Sequence, residues 1–381
     1  MLKQTPYMRL AQMMFFFWGA MSTLAFHVLL LQQSGLNSTQ VGFITAANAV
    51  VGMIAPPLWA RWADRSQNMK RVLLCAFLLW AICNLFLPFA NGIVLWSLPL
   101  SAFLLPCLMF FRAPSSALLD GIVVQGARQA GVPFAKIRLW GSLGYACVVS
   151  LSAFLLRHTS MRMPYFVSTV AALPLLWMLF GQPVTSEVKK KPSKKEGFRP
   201  GAPFFLFLFL NTALYMASNA TSTFTPYLLA DMELEPTLFS TIAGLKTFLE
   251  IPALYIASRW THPRAMQIAL CVSALFYLIE QVFYPFSSQS WHVLALQCLE
   301  GVAFGLYLSA AAPYVAQITP QQWAATAQSW TATTLFLGSI LSSLLGGLFS
   351  GWWGIRSVFL LTTGVLGVAL AAFFLQRKRA K

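Results

Sequence analysis

The residues best placed to do chemistry in this chain are a few ionisable side chains that interrupt long apolar segments. They are Arg112, Asp120, Arg138, Lys246, Glu250, Glu280 and Glu300. A charge at the centre of a membrane costs about 2.5–3.5 kcal/mol on insertion scales, which makes such residues candidates for function. Because four acids stand against three bases, one carboxylate lacks a partner, and binding a proton costs less than burying its charge. This balance indicates a protonatable site.

Asp120 and Arg138 are eighteen positions apart, at the predicted end of one span and the predicted start of the next. A short connection between antiparallel helices would bring the carboxylate and the guanidinium close together. They could then form an ion pair that closes the end of the helices, or each could bind substrate hydroxyls. Tyr145 lies seven residues beyond Arg138, on the same helical face, where its ring could stack on a sugar or a base. We expect these three residues to bind a small solute.

A second set of candidates lies in the later spans. Lys246 and Glu250 are four residues apart and share a helical face, so they could form a local ion pair or contact the solute. Glu300 has apolar neighbours and is the predicted proton carrier, with a helix–helix hydrogen bond as the alternative. Glu280 is the second candidate for proton coupling.

The elements that must position these side chains are membrane-spanning helices. The chain has 381 residues, of which 58% are hydrophobic and 9% charged, and its apolar residues form about twelve blocks of roughly twenty residues, the length that crosses a bilayer. Continuously apolar blocks exclude a barrel, whose strands would alternate. The predicted fold is therefore all-α and polytopic, with twelve transmembrane helices in two six-helix bundles. The first span is predicted at 7–32 and the fourth at 95–119.

Three segments are predicted from the distribution of polar residues. Residues 1–181 form an N-terminal six-helix bundle, and residues 203–381 form a C-terminal one. Residues 182–202, rich in Lys, Pro and Ser, form a cytoplasmic linker loop. A faint repeat links the two halves, because Ala55–Trp59 and Ile251–Tyr255 both contain proline near the end of a span and precede basic residues. Repeated halves are typical of transporters.

The net charge of +16 invites a nucleic-acid interpretation, but its distribution excludes one. Twenty-one of the 26 basic residues lie in alternate gaps between spans or at the termini. This positive-inside bias predicts a multi-pass membrane protein with both termini in the cytoplasm. The short loops and termini favour a bacterial inner membrane. The six cysteines lie within spans and lack ligand spacing, so we expect no metal and no disulfide. No cofactor is expected, and the chain is predicted to be a monomer in contact with lipid.

Two motifs resemble those of known transporters. The run from Ala60 to Arg65, between spans two and three, resembles the signature loop of the major facilitator superfamily. That resemblance implies that Asp64 and Arg65 form a conformational latch. The run RLWGSLGY, from Arg138 to Tyr145, resembles span five of the lactose permease-like oligosaccharide/proton symporters, which are related to the phenylpropionate permeases and the nucleoside/proton symporters.

This resemblance implies roles for individual residues. Asp120 and Arg138 would bind the solute, and Tyr145 would stack on it. The run around Glu300 resembles the span-ten motif whose glutamate carries the transported proton. The fold implied is that of the major facilitator superfamily, with alternating access as the mechanism.

The chain also departs from that family pattern. The arginine of span nine is absent here, where the sequence reads Leu278-Ile279-Glu280-Gln281, and the histidine of span ten corresponds to Gln297. The span-seven acids correspond to Ser218, Asn219 and Thr221. A proton relay in this chain is therefore expected to be rewired, with Glu280 and Lys246 as the candidates.

We interpret the chain as a proton-coupled symporter of a small hydroxylated solute, either a sugar, a glycoside or a nucleoside. A carrier of an aromatic or other organic carboxylate is the main alternative, with Arg138 or Lys246 binding the anion, and drug efflux is another. An enzyme is not expected, because the sequence contains no nucleophile–base pair, metal cluster or phosphate-binding loop.

Overall fold

The computed structural model describes residues 6–66, 68–132, 134–180, 200–235, 237–257, 259–260, 262–320 and 323–379, apart from the side chains of residues 64, 135, 263, 324, 325 and 376–379. Two sequence predictions therefore lie outside the described residues. One is the latch role of the Asp64 side chain, and the other is the linker over residues 182–199.

The described residues form long helices joined by short connections. The helices are α1 (Pro6–Ala20), α2 (His27–Gln33), α3 (Ser38–Ser66), α4 (Met69–Ala90), α5 (Leu100–Gln129), α6 (Phe134–His158), α7 (Arg162–Phe180), α8 (Ala202–Asp231), α9 (Leu238–Ala257), α10 (Pro263–Phe283), α11 (Ser290–Ile318), α12 (Ala324–Trp353) and α13 (Arg356–Arg379). The strands β1 (Val94–Leu95) and β2 (Leu98–Pro99) form a small antiparallel hairpin. Two 3-10 turns, Met21–Ala25 and Tyr284–Phe286, complete the described elements.

Eleven helical segments of the described chain are long and apolar enough to cross a membrane. The first, Pro6–Gln33, combines α1, the 3-10 turn and α2. Helix α9 is a further helix of 20 residues, and it carries the charged residues Lys246 and Glu250. The predicted all-α polytopic membrane fold is confirmed.

The structure corrects two predicted spans. The first is interrupted at Met21–Ala25, and the fourth begins at Leu100, because 94–99 form the hairpin. Trp96 and Ser97 turn this hairpin with positive φ angles of 48° and 66°. The prediction that the fourth span ends at Asp120 was wrong, since α5 continues to Gln129. The buried side chains beyond Asp120 keep the helix packed against its neighbours.

The chain divides into two compact units. The first comprises Met1–Gly35 and Ala47–Ser193, and the second comprises Leu36–Ala46 and Lys194–Lys381. In the first unit α1 packs on α6 and α7, and α4 packs on α5 and α7. In the second unit α8 packs on α12 and α13, and α10 packs on α11 and α13. Corresponding spans therefore pair alike in both units, as an internal repeat requires.

Glycines set the closest helix approaches in each unit. A Cβ atom on Gly144 would lie 2.1 Å from the backbone oxygen of Phe15, where α6 crosses α1. A Cβ on Gly338 would lie 2.4 Å from the backbone oxygen of Thr212, where α12 crosses α8. Small residues let membrane helices approach closely enough for backbone contact. Gly144 therefore allows α6 to lie directly against the backbone of α1.

A buried polar cluster stabilises the interruption of the first span. Thr23 in the 3-10 turn donates a hydrogen bond to Asn84 Oδ1 (3.0 Å). The Asn84 amide in turn donates to Ser168 Oγ (3.3 Å) and Thr169 Oγ1 (3.2 Å) on α7. Broken membrane helices persist where neighbouring polar groups satisfy the local structure. Helices α4 and α7 therefore stabilise the bend that leads to His27.

Candidate functional site

The second unit contains a buried ion pair. Lys246 Nζ on α9 lies 2.6 Å from Glu300 Oε2 on α11, and the Glu300 side chain is 0% exposed while that of Lys246 is 21% exposed. The other carboxylate oxygen of Glu300 accepts a hydrogen bond from the Ser218 hydroxyl on α8 (3.1 Å). Three helices thus contribute to one carboxylate.

Close packing of α9 on α11 positions this pair. A Cβ on Gly301 would lie 2.4 Å from the backbone oxygen of Lys246, and a Cβ on Gly305 would lie 2.7 Å from that of Glu250. Because both glycines lack side chains, α11 lies against the α9 backbone beside Lys246. The lysine therefore reaches Glu300 on the neighbouring helix. Glu250, one turn further along α9, is also buried.

Glu280 on α10 heads a second chain of buried polar groups. Its Oε1 accepts a hydrogen bond from the Thr221 hydroxyl (3.1 Å). Thr221 Oγ1 accepts from the Gln281 amide (2.9 Å), and Gln281 Oε1 accepts from Thr362 on α13 (2.6 Å). Within the described residues, Glu280 Oε2 has no hydrogen-bond partner and Glu280 forms no ion pair. Glu280 is 0% exposed.

The two acids interact electrostatically with each other and with the same lysine. Two fully buried carboxylates therefore share one cation in this part of the described chain. An ionised carboxylate buried without a countercharge is costly, and proton binding removes that cost. In this arrangement one carboxylate can hold a proton while the other pairs with Lys246. When the proton leaves, both carboxylates are charged and either one can pair with the lysine.

In the first unit, Asp120 and Arg138 differ from the ion-paired Lys246 and Glu300. The two residues form no ion pair among the described residues, although the arginine charge still acts on the carboxylate. The predicted juxtaposition assumed that the span ends at Asp120, whereas α5 continues for nine residues beyond it. Both side chains are half-buried, so each keeps surface for a ligand.

Arg138 packs instead on an aromatic ring. Its guanidinium carbon lies 4.3 Å from the centroid of the Trp18 ring on α1, a distance at which cation–π attraction operates. Gly141 makes room for this contact, because a Cβ there would lie 2.6 Å from Trp18 Cδ1 and 2.8 Å from Arg138 Nη1. Arg138 Nη1 is buried and has no hydrogen-bond partner in the described part of the chain. The ring thus orients a guanidinium that retains an unused donor.

Tyr145 and Arg65 are two further residues that the sequence singled out. Tyr145 is half-buried on α6 and interacts electrostatically with Arg112 on α5. Arg65 is exposed near the end of α3. Trp140 on α6 donates a hydrogen bond from Nε1 to the Tyr7 hydroxyl (2.9 Å).

Sequence reasoning missed the partners of the charged groups. Ser218 and Thr221 appeared only as neutral substitutes for family acids, yet they donate to Glu300 and Glu280. Their spacing of three residues on one helix is the signal that could have identified them, because it places both hydroxyls on one face. Trp18 was one of many aromatic residues, and nothing in its spacing singled it out.

Comparisons with known proteins agree with this architecture. The model of the MFS_1 like family matches residues 7–361. Maltose permease of Geobacillus stearothermophilus is 25% identical over 379 residues, covering 96% of this chain and 93% of the relative. Sugar efflux transporter A of Dickeya chrysanthemi is 25% identical, covering 86% and 84%. A variant of the nucleoside transporter NupG shares the fold with a TM-score of 0.76 at 15% identity, covering 97% of this chain and 99% of that one.

Proposed function

Because the chain belongs to the MFS_1 like family, a family of major facilitator transporters, we propose that it couples proton movement to the transport of a small hydroxylated solute. The solute class is a sugar, a glycoside or a nucleoside. The relatives named maltose permease, sugar efflux transporter and nucleoside transporter support this choice of class. The observation that carries the coupling is the pair of buried acids, Glu280 and Glu300, which share Lys246.

The proposed coupling uses the difference between the two acids. The sequence favoured Glu300 as the proton carrier, but Glu300 pairs with Lys246. We therefore assign the transported proton to Glu280, which forms no ion pair among the described residues. When Glu280 loses that proton, two negative charges compete for Lys246. A buried pair that loses its partner is strongly destabilised, so this competition favours a different helix arrangement. Proton release and conformational change are thereby linked.

The solute-binding residues in this proposal are Asp120, Arg138 and Tyr145 in the first unit and Lys246 and Glu250 in the second. Carboxylate and guanidinium groups suit hydroxyl recognition because they form charge-assisted hydrogen bonds. The half-buried state of the first three residues supports contact with a ligand. Transport proceeds by alternating access, with Asp64 and Arg65 as the latch.

The proposal includes the setting of the protein. The basic residues in alternate gaps support an orientation with both termini in the cytoplasm of a bacterial inner membrane. The chain acts as a monomer. Export is the second candidate, favoured by relatives named sugar efflux transporter and multidrug resistance protein. In that case protons and solute would move in opposite directions.

The direction of proton movement during solute uptake tests the proposal. Purified protein is reconstituted in liposomes that contain a pH-sensitive dye, and sugars, glycosides and nucleosides are added outside one at a time. Symport predicts that a transported solute acidifies the lumen. Antiport predicts that the lumen becomes more alkaline, and solute uptake without any pH change would contradict proton coupling altogether.

A further inference from the structure

We propose that Arg112 binds a carboxylate of the solute, so that the solute is a hydroxylated monoanion such as a sugar acid. This inference rests on the proposed function and narrows its solute class. The observation behind it is a guanidinium within the first unit that has no countercharge among the described residues.

The hydrogen bonds that Arg112 forms do not satisfy all of its N–H donors. Its Nε and Nη2 atoms donate to Met109 Sδ, one turn earlier on α5, at 3.2 Å each. A thioether is a weak acceptor, whereas a guanidinium carries five N–H donors and stays charged. The side chain is half-buried, and it pairs with no carboxylate among the described residues.

The charges near Arg112 point to a negative charge on the ligand. Asp120, which is on the same helix, interacts electrostatically with Arg138, whereas Arg112 forms no ion pair among the described residues. The positive charge of Arg112 is therefore unmatched in the described part of the chain. A bound carboxylate would supply the missing charge and could accept two N–H bonds from one guanidinium.

Other polar groups of the same unit support a ligand with both hydroxyls and a carboxylate. His27 on α2 and Tyr145 on α6 lie within its electrostatic range. His27 Nε2 is buried and lacks a hydrogen-bond partner among the described residues, as does Arg138 Nη1. An acceptor-rich ligand would satisfy both groups, since a carboxylate accepts at two oxygens and hydroxyls both donate and accept.

A purely structural role for Arg112 makes a different prediction. An arginine that only packs would be replaced by a long apolar side chain without any change in ligand preference. An arginine that binds a carboxylate would discriminate between an acid and its neutral ester. The ratio of acid uptake to ester uptake, and not the total uptake, therefore distinguishes the two roles.

The experiment measures uptake of galacturonate, its methyl ester and galactose into proteoliposomes, with glucuronate and gluconate as further acids. We expect wild-type protein to take up at least one acid about tenfold more efficiently than its neutral counterpart, as one charge-assisted interaction allows. Arg112→Met should reduce this preference to within about twofold. Arg112→Lys, which keeps the charge but cannot donate the same two N–H bonds, should retain only part of it. Retained uptake of the ester by Arg112→Met would show that this variant is folded.

Arg128→Met is the matched control, because Arg128 lies on the same helix but is exposed. Its preference should equal that of the wild type. Proton-coupled uptake of neutral solutes without a preference for acids would overturn the assignment of Arg112 while leaving the proposed function intact. An unchanged preference in Arg112→Met would do the same. Absence of uptake of every solute would overturn both proposals.

Discussion

At the residue scale, two buried carboxylates, Glu280 and Glu300, interact electrostatically with one lysine, Lys246. The ion pair between Lys246 and Glu300 is short, and its carboxylate is fully buried. Glu280 has hydroxyl and amide neighbours in place of a cation. Buried ion pairs contribute little net stability, yet loss of one partner is costly. The pair therefore suits a switch better than a structural clamp.

The buried ion pair predicts a strong coupling energy between Lys246 and Glu300. Lys246→Met should lower the free energy of unfolding by up to about 3–5 kcal/mol, because it leaves Glu300 without its cation. Glu300→Gln added to Lys246→Met should recover most of that loss, since no charge is then stranded. Thermal unfolding of the two single variants and the double variant in detergent gives the coupling. Additive effects would contradict a direct buried pair.

The acids and bases of this site could be predicted from the sequence, but their partners could not. Lys246, Glu280 and Glu300 stand out because charge is expensive in an apolar helix. Ser218 and Thr221 do not, since hydroxyls are tolerated on any face of a membrane helix and gain meaning only from helix register. The choice between an ion pair of Asp120 with Arg138 and separate contacts with a solute was also open, because the pair depended on where α5 ends.

At the element scale, helices are positioned by glycines at their crossings. Gly144 brings α6 against the α1 backbone, and Gly301 brings α11 against the α9 backbone. Each contact sets the position of a functional residue, because Tyr145 follows Gly144 and Glu300 precedes Gly301. Interiors packed this densely transmit small displacements, so a single methyl group at these glycines matters.

Gly144→Ala tests this directly. Its new Cβ would lie 2.1 Å from the Phe15 carbonyl oxygen, and relief requires α1 and α6 to separate. We expect a loss of about 1–3 kcal/mol, the usual cost of overpacking, seen as a lower melting temperature. Gly364→Ala is the control, because a Cβ there meets nothing within 4 Å. Equal melting temperatures for the two variants would contradict the close crossing.

The helices themselves were largely predictable, because an apolar run of bilayer length has few alternatives in lipid. The hairpin before α5 was not, since Val94 and Leu95 are apolar and read as the start of a span. The interruption at Met21–Ala25 was also hidden. It depends on Asn84, Ser168 and Thr169 from other helices, and tertiary partners of this kind leave no periodic signal along the chain.

At the scale of the whole molecule, the chain consists of two units with similar helix pairing, as the proposed alternating-access mechanism requires. Each unit pairs its helices in the same way, while their interior charges differ. The candidate residues Arg112, Asp120 and Arg138 belong to the first unit, and Lys246, Glu250, Glu280 and Glu300 belong to the second. In the proposed mechanism, the first unit mainly recognises the solute and the second unit binds the proton.

The most direct test separates exchange from accumulation in Glu280→Gln. Proteoliposomes preloaded with a transported solute report equilibrium exchange, and an imposed pH gradient reports uphill accumulation. A permanently neutral residue mimics protonated Glu280, so the variant should exchange solute at a rate close to that of the wild type yet fail to accumulate it. Glu233→Gln, at an exposed position, should do both. Accumulation by Glu280→Gln at the wild-type level would contradict the assignment of proton coupling to this buried network.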